Sequence, residues 1–168
     1  MGGSRAIGEL YDAAYPRLVL QLFAICGDQV DAEDAVQEAF VKALATGAAF
    51  DRVDHPEAWL RKVALNHQRN VWRRTGVARR FLTSVPGPRQ TAELDPDHVA
   101  VMDALSQLDL DHRTVLVLHH LADLGTAEIA RELGIPEGTV KSRLARGRTR
   151  LAPLLDDRLD DREEHDHA

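Results

Sequence analysis

The stretch from Thr126 to Leu151 restricts the fold of this chain more than any other. Ile129, Ala130 and Leu133 line one side of a helix of about two turns, and Gly134 follows where the backbone must turn left-handed. Ile135 then plugs the corner. Pro136 opens a longer helix in which Val140, Leu144, Gly147 and Leu151 recur at intervals of four, three and four residues. Short helix, glycine corner and long amphipathic helix together make a helix-turn-helix, with Thr126 expected to cap its first member.

The same 3.6-residue period runs through the rest of the chain. A first helix is expected from Ile7 to Ile25, with Leu10, Ala14, Leu18, Leu22 and Ile25 inward and Gly27 as its stop. A second, with Asp31 as its N-cap, carries Ala32, Ala35, Val36, Ala39, Phe40, Ala43 and Leu44 before Gly47. A third begins at His55-Pro56 and has Leu60, Val63, Ala64, His67 and Val71 as its apolar positions. Further on, Asp95-Pro96 opens a helix through Val99, Met102, Leu105 and Leu108, and Asp111 is placed to cap another with Val115, Leu118 and Leu121 or Ala122. No strand or hairpin pattern intervenes, so the expected fold is all-α.

The stretch around Pro86-Gly87-Pro88 has no apolar period and reads as a linker. The expected organisation is therefore two small helical domains: three or four helices over 5–78, a flexible linker over 79–96, and four helices including the helix-turn-helix over 97–155. An acidic, disordered tail would follow over 156–168.

A net charge of −6 conceals strong alternation. Lys and Arg number 9 against 2 Asp and Glu over 52–90, and 6 against 3 over 126–155. The flanking segments are acidic: 3 against 8 over 1–51, 1 against 7 over 91–125, and 2 against 7 over 156–168. Two separated basic blocks suit nucleic-acid contact at two places, with acidic surfaces left for other partners.

Other classes find little support. No run of 18 apolar residues spans a membrane, and the N-terminus lacks a signal-peptide pattern. The single cysteine, Cys26, excludes an internal disulfide, and on an apolar helix end it reads as an inert thiol rather than a redox handle. His119 and His120 are adjacent rather than one helical turn apart, His165 and His167 sit in the acidic tail, and neither a phosphate loop nor a nucleophile elbow occurs. No catalytic residue, metal, cofactor or small-molecule substrate is expected, and the chain reads as intracellular and not an enzyme.

The third helix carries Arg61, Lys62, Arg69, Arg73 and Arg74, interleaved with Asn66 and Asn70 and with Trp59 and Trp72. Cations for phosphate, amides for base edges and aromatics for stacking are what unpaired DNA requires, although Trp59 also suits a core. On the helix after Pro136, Thr139, Lys141, Ser142, Arg143, Arg146 and Arg150 flank or oppose the apolar stripe, as a major-groove helix requires. The acidic second helix is either a solvated face or a docking surface for a basic partner. Residues 126–155 alone would equally serve a dimeric repressor or activator.

Three segments resemble one family. Asp31 to Leu44 (DAEDAVQEAFVKAL) is similar to the segment of extracytoplasmic-function (ECF) sigma factors that grips the clamp helices of the RNA polymerase β′ subunit. His55 to Asn66 (HPEAWLRKVALN) resembles the stretch that melts the −10 promoter element, and Ala104 to Leu118 with the helix-turn-helix resembles the −35-reading domain. The resemblance implies that Asp34, Gln37, Glu38 and Phe40 face the polymerase. It likewise assigns Asn66, Arg69, Asn70, Arg73 and Arg74 to −10 DNA, and Thr139, Lys141, Ser142, Arg143 and Arg146 to the −35 duplex. It implies core RNA polymerase (β and β′ subunits), promoter DNA and an anti-sigma factor as partners.

Overall fold

The computed structural model describes residues 2–75 and 96–165, with side chains over 6–75 and 98–156. The chain divides into two compact units between Leu82 and Thr83. The expected linker, 79–96, falls outside the described residues except at Pro96. Every regular element among the described residues is helical, as the periodicity requires.

The first unit holds α1 (Gly2–Cys26), α2 (Gln29–Thr46), a 3-10 turn (Gly47–Arg52) and α3 (Pro56–Thr75). Ala14, Leu18, Leu22 and Ile25 of α1 meet Ala32, Ala35, Val36, Ala39 and Ala43 of α2. The row of alanines allows the two backbones to approach closely, because each buries a single methyl group. Leu60, Ala64 and Leu65 of α3 close the core against α2. The 3-10 turn is not apparent in the periodicity. It forms where Gly47, at φ 60°, ends α2 and Phe50 folds inward.

Three differences from the sequence reading concern caps. Asp28, not Asp31, caps α2, its Oδ1 accepting from the Asp31 N–H at 2.9 Å. Asp109, not Asp111, caps the helix that follows it, accepting from the His112 N–H. Gly125, not Thr126, precedes the first helix of the pair, and the Glu128 carboxylate accepts the Gly125 N–H at 2.9 Å. In the first two cases an acceptor is available on both sides of the boundary, and the one reaching an unpaired first-turn N–H wins. In the third, glycine offers no side-chain acceptor and the bond runs back from Glu128 to its N–H.

The buried stripe of α3 is also rotated. Arg61 and Gln68 lie inside, while Val63, His67 and Val71 are only half-buried. These polar groups are tolerated because they are partnered: Arg61 donates to Gln21 Oε1 at 3.1 Å and Gln68 to Asp31 Oδ2 at 3.4 Å. Arg17 and Glu57, 2.7 Å apart, join α1 to α3 at the surface.

The second unit holds α4 (Pro96–Ser106), α5 (Leu110–His120), α6 (Thr126–Leu133) and α7 (Glu137–His165). Its core is Ala104, Leu105, Leu108, Val115, Leu116, Val117, Leu118, Ile129, Val140 and Leu144. The buried Arg113 joins it, donating from Nη2 to the carbonyls of Ser106 and Leu108, each at 2.8 Å, where α4 has run out of its own N–H partners. The backbone of α7 continues through Pro153 to His165, covering 156–165 of the stretch expected as an acidic tail.

Candidate functional site

On α2, Asp34 and Gln37 are exposed, and Glu38 pairs with Lys42 at 3.6 Å. Gln37 also donates to the Tyr15 hydroxyl at 3.4 Å. Phe40 does not face outward as expected. It is 4% exposed, with its ring edge-on to Tyr11 at 4.9 Å between centroids, because it belongs to the core stripe shared with Val36 and Ala43. Leu44, expected in that stripe, is 53% exposed, and Val41 and Val30 are 57% and 64% exposed. Val30, Asp34, Gln37, Val41 and Leu44 recur at intervals of four and three. That is the spacing by which one helix lies along another. A second apolar line beside the core stripe was the sequence signal for this surface.

On α3, Lys62, Asn66, Asn70, Arg73 and Arg74 are exposed and Arg69 is half-buried. The Arg73 guanidinium bonds the Asn70 amide oxygen, which keeps both side chains on one face. Trp59 and Trp72 are half-buried, and Trp59 meets Phe50 edge-on at 5.1 Å. Arg61 is the correction here. At 4% exposure, bonded to Gln21 and 3.8 Å from Glu57, it joins helices and cannot reach a ligand in this conformation.

The helix-turn-helix is built from the backbone outward. Gly134 adopts φ 66°, ψ 36°, and the Ile135 N–H reaches back to the Ala130 carbonyl at 3.1 Å, closing α6 in a Schellman motif. Thr126, freed from capping, donates its hydroxyl to Glu137 Oε1 at 2.6 Å, tying the start of α6 to the start of α7. That bond and Lys141, 3.0 Å away, hold the Glu137 carboxyl below the usual carboxylate range. Gly147 admits α5 to close range: a Cβ there would lie 3.0 Å from Leu116 Cδ1 and 3.5 Å from His112 Cβ.

Packed in this way, α7 presents Lys141, Ser142, Ala145, Arg146, Arg148, Thr149 and Arg150 outward, while Thr139 and Arg143 are half-buried. Arg143 and Arg150 point toward the start of α5, where Asp111 and Asp109 meet them at 2.7 and 2.5 Å. Ser142 and Arg146 lie on the side away from the core, and Arg146 has no carboxylate partner among the described residues. No group of three or more His, Cys, Asp or Glu among the described residues is placed to hold a metal, and no helix there is long and apolar enough to cross a membrane.

Two family models match this chain: Sigma-70 region 2 over residues 10–82 and Sigma-70 region 4 over residues 98–151. The ECF RNA polymerase sigma factor SigL of Mycobacterium tuberculosis is 35% identical over 147 residues, covering 83% of this chain and 81% of its own length. The chain belongs to the ECF sigma factors. CnrH of Cupriavidus metallidurans is a further relative, 30% identical over 172 residues, covering 92% of this chain and 89% of its own. Among solved structures, the sigma factor RpoE in complex with the anti-sigma factor NepR, from Bartonella quintana, has a TM-score of 0.72 at 26% identity. It covers 90% of this chain and 98% of that one. CnrH in complex with the cytosolic domain of CnrY has a TM-score of 0.64 at 28% identity, with 93% and 91% covered. This sigma factor is thus a promoter-directing transcription factor, of a family that is regulatory rather than enzymatic.

Proposed function

We infer that the two units divide the work of promoter recognition. The α2 stripe of Val30, Asp34, Gln37, Val41 and Leu44, with Glu38 beside it, is the dock for a basic helical element of core RNA polymerase, the β′ clamp helices. The second unit makes a further contact with β. The α3 face of Lys62, Asn66, Arg69, Asn70, Arg73 and Arg74, with Trp59 at its edge, receives −10 bases as they leave the stack. Unstacking costs a few kcal/mol, so phosphate contacts and base capture on the holoenzyme offset it. The start of α7 enters the −35 major groove, with Thr139, Ser142 and Arg146 toward base edges and Lys141, Arg148 and Arg150 toward phosphates.

The observation that carries this reading is the exposed α2 stripe. A dimeric repressor working through residues 126–155 has no use for three valine and leucine side chains more than half exposed along an acidic helix. The chain's action belongs in the cytoplasm, where the polymerase is, and an anti-sigma factor is its natural inhibitor.

Co-elution with purified core polymerase tests the dock. Val41→Asp with Leu44→Asp removes the burial of the remaining half of each side chain, worth about 1 kcal/mol apiece, and core affinity should fall at least tenfold with the helical content unchanged. Unaltered co-elution would refute the assignment. Specific duplex binding by the free chain, with no association with core, would favour the repressor.

A further inference from the structure

Apart from Lys141, which pairs with Glu137 within the helix at 3.0 Å, the described cations of α7 fall into two sets. Arg146 and Arg148 have no carboxylate partner among the described residues. Arg143 and Arg150 are both engaged by the first turn of α5, Arg143 Nη2 with Asp111 Oδ2 at 2.7 Å and Arg150 Nη1 with Asp109 Oδ2 at 2.5 Å. The two arginines are seven residues apart, and Gly147 lies between them against Leu116 and His112. The ion pairs therefore straddle the closest approach of α5 to α7. Asp109 is held on two sides, since its other oxygen accepts from the His112 N–H and bonds the His112 ring while capping α5. It is fixed in place rather than swinging free.

We propose that Asp109 and Asp111 are internal counter-ions which occupy Arg143 and Arg150 in the free protein and which duplex DNA must displace. The inference rests on the reading of α7 as the duplex-binding helix. Exposed pairs of this kind are weak, so phosphate can take the arginines at little cost. The two carboxylates nonetheless stay beside the groove after exchange, unpaired and repelled by phosphate. Arg146 and Arg148 provide first contact, and Arg143 and Arg150 join only when the helix is seated. Affinity for duplex at large is thereby held down, and fewer cations are released on binding than the number of arginines would suggest.

The test is anisotropy of a labelled random-sequence duplex titrated with the full chain over a range of salt. Asp111→Asn removes the charge at an exposed position. Asp109→Asn also removes it, and asparagine serves as well as aspartate at an N-cap, so α5 keeps its start. Each substitution should raise affinity about threefold to fivefold at low salt and steepen the salt dependence. Asp123→Asn, an exposed residue at φ 54° that asparagine also accepts, makes the same change in net charge at a carboxylate with no ion pair among the described residues and should change affinity much less. In an Arg143→Ala background, Asp111→Asn should lose most of its effect.

An unchanged or lowered affinity in Asp111→Asn would overturn the proposal, the arginines then being either permanent staples or oriented by their carboxylates. So would an equal gain from Asp123→Asn, which would mean net charge alone. If Arg146→Ala leaves duplex binding unaltered, the duplex-binding reading of α7 itself fails. That result is separable from failure of the counter-ion exchange.

Discussion

Arg113→Met should cripple the second unit without touching any binding surface. The guanidinium is buried and donates from one nitrogen to the carbonyls of Ser106 and Leu108, 2.8 Å from each. Methionine keeps the apolar stem and removes both bonds. Hydrogen bonds to charged groups contribute about 1.5–3 kcal/mol each, and some of that loss is returned because a buried charge is also removed. The expected net loss is about 2–4 kcal/mol, a large share of the total for a domain of this size. At about 4–8 °C per kcal/mol, the melting temperature of the second unit should fall by roughly 8–32 °C. Amide hydrogen exchange on the full chain reads this unit by unit. Protection should drop across α4 and α5, with α1 to α3 unaffected. Arg113→Lys, with a compact ammonium on a shorter reach, should fall between wild type and methionine. A loss below about 1 kcal/mol in Arg113→Met would show that the two carbonyls find other donors, and would refute the reasoning.

Three further outcomes are expected. Gly147→Ala should lose about 1 kcal/mol in a urea melt, since the crowding of buried Leu116 outweighs the gain in helix propensity. Gly138→Ala, in open space on the same helix, should gain about 0.5 kcal/mol, and equal effects would discount the close approach. Arg61→Met should lower the melting temperature of the first unit, whereas Arg69→Ala should leave it unchanged and weaken only promoter opening; the reverse would place Arg61 at the DNA. Burial, His119 and Arg148 push the His120 imidazole below its ordinary range, so the folded state binds its proton less readily than the unfolded state does. Stability should therefore be full above the ordinary imidazole pKa and fall as pH drops through the folded value, and a chemical-denaturation series across that window in wild type and His120→Asn should show the slope only in wild type.

Much of the molecule was legible in the order of its residues. An apolar residue every three or four positions forces helices whatever their neighbours, and Gly47 and Gly134 could be located because positive φ favours glycine. The alternating charge blocks likewise marked two basic surfaces before any fold was known. These are properties of a segment alone, so sequence determined the all-α class, the helix-turn-helix and the family resemblance.

What tertiary structure decided is which way each helix is turned and which charge is already occupied. Phe40 and Leu44, four residues apart on α2, differ in direction by enough that one enters the core and the other faces out. Arg61 and Lys62 are adjacent and chemically alike, yet one binds Gln21 inside the bundle and the other is exposed. Arg143 and Arg150 read as free cations until α5 is laid across α7 and brings Asp111 and Asp109 to them from 32 and 41 residues away. Periodicity fixes positions relative to one helix axis. Burial and ion pairing depend on where the second axis lies, and only packing sets that.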